Sequence, residues 1–140
     1  MKRTILDTGP IVALFDKSDK FNSAIYDFIK DYKGVFISTW PVISEVSFLL
    51  EYKKQTQIDF FKWLELGGIN LIDIDCTDIL LIREMMEKYS NVPMDLADAS
   101  LMLISDKLEL ESIITLDKDF YIYRKYNGSC ITNLLSDIIS

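Results

Sequence analysis

Histidine is absent from all 140 residues. That one absence removes Ser-His and Cys-His nucleophilic catalysis and His-ligated zinc together. Cysteine is scarce: Cys76 and Cys130 stand far apart, outside any CxxC spacing. They make neither a thiolate zinc knuckle nor a disulfide framework, and a reducing, cytoplasmic setting is the expectation. Only 5 glycines and 3 prolines are present, so no linker or low-complexity segment is expected. No apolar run approaches the roughly 20 residues of a membrane span. Met1-Lys2-Arg3 imitates the charged start of a signal peptide, but Asp7 and Thr8-Gly9-Pro10 interrupt the apolar run that follows. Export is not expected. Positive charge is in deficit: 15 basic against 22 acidic residues leave a net charge of −7. A chain of that sign has no general field for polyphosphate, so contact with nucleic acid has to be local or made by a metal.

What is there is a globular composition, 49% hydrophobic and 26% charged. A chain of this length buries roughly 68–70% of its unfolded surface, and a single domain over 1–140 is expected. Short β-branched runs at 4–6, 35–37, 69–74, 113–116 and, more weakly, 130–132 lie between turn residues such as Gly34, Gly67-Gly68 and Asn127-Gly128. They read as buried strands. Helical spacing fills the gaps: Phe21, Ala24, Ile25, Phe28, Ile29 and Tyr32; Val42, Ile43, Val46, Leu49 and Leu50; Ile79, Ile82, Met86 and Tyr89. The stretch from Leu96 to Leu108 is apolar on most faces and predicts a buried helix. Strands alternating with helices indicate an α/β fold with a mainly parallel sheet, whose ligands sit beyond the carboxyl ends of the strands.

Acids fall at that edge from four separate segments. Asp7 follows the first strand and Asp117 the 113–116 strand. Glu45 lies in the first turns of the helix after the second strand, at the border of its apolar stripe. Asp95 and Asp98 open the buried helix after Pro93, spaced to share one face. Converging carboxylates repel and take raised pKa values unless a cation neutralises them. An all-oxygen set suits Mg²⁺ or Mn²⁺, which can bridge carboxylates to phosphate and activate water. A purely structural reading stands beside this one. Asp7 can cap the helix at Gly9-Pro10, Asp95 and Asp98 can form a capping pair, Asp117 or Asp119 can cap the segment at Phe120, and Glu45 can be an ordinary helix-surface residue.

The strings themselves resemble a family. Thr4-Ile5-Leu6-Asp7-Thr8-Gly9-Pro10, Ile37-Ser38-Thr39-Trp40-Pro41-Val42-Ile43-Ser44-Glu45-Val46, Pro93-Met94-Asp95-Leu96-Ala97-Asp98-Ala99 and Thr115-Leu116-Asp117-Lys118-Asp119-Phe120 are similar, in order and rough spacing, to the motifs of PIN-domain ribonucleases. The first of them resembles in particular the opening of the VapC-like toxins of toxin–antitoxin pairs. The resemblance implies a PIN-like three-layer fold with a five-stranded parallel sheet, order 3-2-1-4-5, flanked by helices. It implies that Asp7, Glu45, Asp98 and Asp117 are the acidic quartet, with Asp7, Asp98 and Asp117 on Mg²⁺ or Mn²⁺. Thr8 and Thr115 match supporting hydroxyl positions, and Asp95 and Asp119 are neighbouring acids able to share or exchange with Asp98 and Asp117. The implied reaction is endonucleolytic cleavage of RNA by metal-activated water. A homodimer and a small antitoxin are the implied partners.

Lys118, Arg124 and Lys125 are candidate phosphate contacts, with Tyr121, Tyr123 and Tyr126 interleaved for base stacking. The alternative is a solvated helix whose tyrosines pack on the core. Two other functions are open. A receiver-like phosphoacceptor domain has Asp75 as its acceptor. A non-catalytic protein-binding module uses aromatics such as Phe60, Phe61 and Trp63, unless these are core.

Overall fold

A computed structural model describes residues 2–139. Five strands, β1 (Arg3–Leu6), β2 (Val35–Thr39), β3 (Asn70–Ile72), β4 (Ser112–Ile114) and β5 (Thr132–Asn133), form one sheet in the order β3-β2-β1-β4-β5. All pairings are parallel, and the order implied by the resemblance is the order found. Between the strands run α1 (Thr8–Phe15), α2 (Asn22–Asp31), α3 (Trp40–Leu49), α4 (Lys54–Glu65), α5 (Ile79–Lys88) and α6 (Leu96–Lys107), with α7 (Ser136–Ile139) last. No helix among the described residues is long and apolar enough to cross a membrane.

The strands end where side chains displace the ladder. The 69–74 run stops at Ile72, because Asp75 caps a 3-10 turn over Cys76–Asp78. Its carboxylate accepts the Thr77 N–H at 2.8 Å, and Asp78 accepts the Asp75 N–H at 3.2 Å. The 113–116 run stops at Ile114, because the Thr115 N–H donates to the side chain of Asn133. The last strand lies at 132–133 rather than 130–132. After α4 the chain reverses through paired bonds, Gly67 N–H to Leu64 O and Gly68 N–H to Trp63 O. Gly67 supplies the required positive φ of 89°. Gly68 lies against the Trp63 indole, where an added Cβ would overlap the ring.

The core is the sheet's apolar centre, Ile5, Leu6, Ile37, Ile113 and Ile114, covered by helix side chains. In α6 every residue from Ala97 to Ser105 is buried, as its all-round apolar pattern predicts. Its serines satisfy themselves: Ser100 Oγ donates to Ala97 O and Ser105 Oγ to Met102 O, both at 2.7 Å. Lys107 Nζ reaches buried Asp78 Oδ1 at 3.0 Å, tying the end of α6 to the 3-10 turn.

The receiver reading falls here, and so do two of the three aromatics offered to a partner. A receiver domain carries its phosphoacceptor beyond a central third strand, in the order 2-1-3-4-5. Here β3 is an edge strand and Asp75 is occupied as a cap. Phe60 is fully buried, and Phe15 packs on both Phe60 and Trp63. Both are therefore core, while Phe61 is partly exposed.

The topology also selects a place for chemistry. From β1 the connections step to β2 and β3; from β3 the chain crosses to β4 and then β5. Helix α1 packs against α2, α3 and α4, and α5 packs against α6. The reversal opens a crevice at the carboxyl ends of the neighbouring strands β1 and β4, the ligand position of open α/β sheets.

Candidate metal centre

Asp7 and Asp117 enter that crevice from its two walls. Asp7 follows β1, and its N–H continues the ladder to Ile114 O at 3.1 Å. It occupies the N-cap position of α1 but makes no side-chain cap bond. Its Oδ2 accepts instead from Thr115 Oγ1 at 2.7 Å. The same Thr115 oxygen accepts the Asp117 N–H at 2.9 Å. One hydroxyl thus joins the segments after both strands.

Thr115 is itself held by Asn133. The amide oxygen of Asn133 accepts the Thr115 and Leu135 N–H groups, and its Nδ2 donates to Thr115 O at 3.1 Å. Sequence reading missed Asn133; a lone Asn beside a weak strand carries no signal of this role. From the other side, Ser38 Oγ donates to Leu6 O at 2.9 Å, and Thr39 Oγ1 lies 2.6 Å from Ser100 Oγ. These bonds fix the ends of β1, β2 and α6 against one another.

Asp98 arrives from α6. Asp95 caps that helix, its Oδ1 accepting the Asp98 N–H at 2.8 Å. The backbone of Asp98 therefore serves the cap, and its side chain turns elsewhere: Oδ2 accepts from the Tyr123 hydroxyl at 2.8 Å. The capping and ligand readings apply to different atoms of one residue. Asp117 caps the 3-10 turn Lys118–Tyr121, with its Oδ1 accepting the Asp119 N–H at 2.9 Å.

The structure brings Asp98, Asp117 and Asp119 together, one carboxylate oxygen from each within 4.8 Å of the others. Asp7 stands outside this tight group but raises Asp98 electrostatically. Half-buried Glu45 on α3 acts on Asp7 in the same way. Burial, together with the charges of Asp117 and Glu45, pushes the Asp7 carboxyl up to about 6, against the lowering effect of the Thr115 bond. Burial, together with Asp7, Asp95 and Asp117, pushes Asp98 up to about 8, against the Tyr123 bond. Burial and Asp117 raise Asp119 as well.

These residues fit a hard divalent cation. The donors are all oxygen, and an ion with ligands at about 2.0–2.1 Å spans roughly the distance separating them. Buried acids that resist ionisation lack a counter-charge. The Thr8 hydroxyl, next to Asp7, is buried with no hydrogen-bond partner among the described residues, a polar atom that a metal-bound water would satisfy.

The segment after the site departs from the expected helix. It forms only the 3-10 turn and then irregular chain. Arg124 Nη1 donates to the carbonyls of Tyr121, Ile122 and Tyr123 at 2.6, 2.9 and 3.0 Å. Lys125 Nζ donates to Leu110 O at 2.8 Å. Lys118 is exposed. Of the three tyrosines, Tyr123 is fully buried, Tyr121 partly exposed and Tyr126 95% exposed.

Comparison with known proteins agrees with the fold. A family model described as PIN domain matches residues 4–126. Ribonuclease VapC26 of Mycobacterium tuberculosis (strain ATCC 25618 / H37Rv) is 22% identical over 116 residues, covering 81% of this chain and 86% of that protein. Among solved structures, Mycobacterium tuberculosis VapC20, a Sarcin-Ricin loop cleaving toxin, superposes with a TM-score of 0.76 at 15% identity. That match covers 85% of this chain and 93% of VapC20. VapBC2 from Rickettsia felis, bound to a DNA fragment from their promoter, gives 0.60 at 13% identity over 86% and 92% of the two chains.

Proposed function

The chain belongs to the PIN domain family, and from that premise we propose that it is a metal-dependent endoribonuclease, the toxin of a toxin–antitoxin pair. The observation that carries this reading is the meeting of Asp98, Asp117 and Asp119 in the crevice, with Asp7 close enough to act electrostatically on Asp98, and Glu45 on Asp7. The naming of VapC26 as a ribonuclease and of VapC20 as a Sarcin-Ricin loop cleaving toxin supports the same assignment.

Asp7, Asp98 and Asp117 hold Mg²⁺ or Mn²⁺, with Asp119 completing or replacing Asp117. When bound, the ion lowers the pKa of water and neutralises charge developing on the phosphate. Glu45 orients the attacking water and takes its proton, the role of a general base at hydrogen-bond reach. Thr115 keeps Asp7 and Asp117 in one frame, and Asp95 fixes the first turn of α6. Lys118 meets an RNA phosphate, because its ammonium is exposed while the head groups of Arg124 and Lys125 are engaged by backbone carbonyls. The working form is a cytoplasmic homodimer silenced by a small antitoxin.

End-mapping of cellular RNA incubated with purified protein tests the proposal. Discrete new ends that need Mg²⁺ or Mn²⁺, and vanish with EDTA or Asp98→Asn, are expected. Cleavage that persists in Asp98→Asn would sink the assignment. The exposed aromatics Phe48, Tyr52 and Phe61 favour, as a second reading, a partner-binding module of the same fold. That reading requires partner capture with no cleavage of any RNA in the pool.

A further inference from the structure

Tyr123 is 0% exposed, yet it carries a hydroxyl, and that hydroxyl points at Asp98. Its ring is held on two sides. The Phe120 ring meets it edge-on with centroids 5.1 Å apart, and the Tyr89 ring does the same at 5.1 Å. Tyr89 in turn accepts the Arg124 N–H at 2.9 Å, and the Arg124 guanidinium clasps the three carbonyls just before it. Packed between these rings and away from solvent, Tyr123 holds its hydroxyl oxygen beside Asp98 before any ligand arrives.

We propose that Tyr123 is a positioning residue that fixes the rotamer of Asp98 and tethers Oδ2, so that Asp98 meets the metal in one preset orientation. The inference rests on the reading of Asp98 as a metal ligand. Its physical basis is general: carboxylate ligands are aimed by the groups that hydrogen-bond to them, and removing such a group weakens metal binding roughly 10–100-fold. An Asp at the third position of a helix has several open rotamers. Here the N-cap bond from Asp95 uses only the Asp98 N–H and leaves the side chain to Tyr123.

The test is Mn²⁺ binding by calorimetry to the metal-free full chain, for wild type, Tyr123→Phe and Tyr26→Phe. Tyr26 is an exposed residue of α2 and serves as the control. Phenylalanine keeps both ring contacts and loses the bond to Asp98, so Tyr123→Phe is expected to fold, to melt somewhat below wild type and to bind Mn²⁺ about 10-fold more weakly. Tyr26→Phe is expected to match wild type. Equal affinity in wild type and Tyr123→Phe overturns the inference and leaves the metal site standing. Absence of Mn²⁺ binding in wild type overturns both. Weakened binding in Tyr123→Phe, with no RNA cleaved by wild type, upholds the positioning role and rejects the nuclease. Should Tyr123→Phe fail to fold, NMR of the wild type decides: a Tyr123 hydroxyl proton protected from exchange and shifted by Mg²⁺ supports the inference. A hydroxyl exchanging as fast as that of Tyr26 overturns it.

Discussion

Thr115 donates its hydroxyl hydrogen to Asp7 Oδ2 at 2.7 Å, joining two residues 108 positions apart. The same oxygen receives the Asp117 N–H, so a single side chain registers the two walls of the crevice. Thr115→Val keeps the shape and removes both bonds. Asp7 then loses the donor that opposes its burial, and Mn²⁺ affinity is expected to fall about 10-fold. Thr115→Ser restores the hydroxyl and most of the affinity. Calorimetry on the two variants checks this; equal binding by Val and Ser would remove Thr115 from the site.

Removing charge at Asp98 separates function from stability. Asp98→Asn is expected to reduce cleavage by about 10²–10³. Its carbonyl can still accept from Tyr123, and a charge that burial penalises is gone. Metal-free Asp98→Asn therefore melts at or above the wild-type temperature at pH 8. A variant that lost activity by unfolding would melt well below it.

Stability of the metal-free protein falls as pH rises. Asp7 and Asp98 are raised to about 6 and about 8, so between pH 4 and 8 the folded state binds protons that the unfolded state has released. Stability is then lost with rising pH, opposite to the behaviour of a salt-bridged carboxylate. Asp7 alone accounts for about 3 kcal/mol across its window. Saturating Mn²⁺ replaces those protons and flattens the profile. Thermal melts from pH 5 to 8, with and without Mn²⁺, test the sign; a metal-free profile that rises contradicts it.

Two cations beside the site are expected to behave differently. Arg124→Ala releases the three carbonyls that its guanidinium clasps and is expected to cost about 1–2 kcal/mol of stability in urea unfolding. Lys118→Ala leaves stability within about 0.5 kcal/mol. It weakens RNA binding, and the salt slope for single-stranded RNA falls by about 0.7 if one phosphate contact is lost. A Lys118→Ala chain with unchanged RNA affinity and slope removes Lys118 from the RNA path.

Gly68 offers a check on the fold itself. An added Cβ would fall within the Trp63 ring contact, and Trp63 packs on Phe15. Gly68→Ala is expected to destabilise by about 1–3 kcal/mol through overpacking. Gly67→Ala strains the backbone instead, through the positive φ. Urea unfolding of the two variants measures both.

The sequence by itself determined the periodic features of this protein. Alternating β-branched runs and helical spacing are local, so the parallel α/β class, the buried α6 and the acids at strand ends and helix starts were legible from it. So was the absence of histidine and of any thiolate cluster, which confined the chemistry to oxygen donors. The strand order came only as what the resemblance of the four acidic motifs to a known family implied, and the sheet has that order. The tertiary structure alone decided which atoms meet. Asp95 and Asp98 look alike in the chain, yet one is a cap and the other faces Tyr123. Asp119 joins the tight carboxylate group while Asp7 reaches it through Thr115. Tyr123 and Asn133 have no local signature, because their partners lie 25 and 18 residues away. Arg124 reads as a phosphate contact in the chain, and only the fold shows three carbonyls around its Nη1. A hydrogen bond depends on angle and distance across packed elements, and no one-dimensional period encodes that geometry.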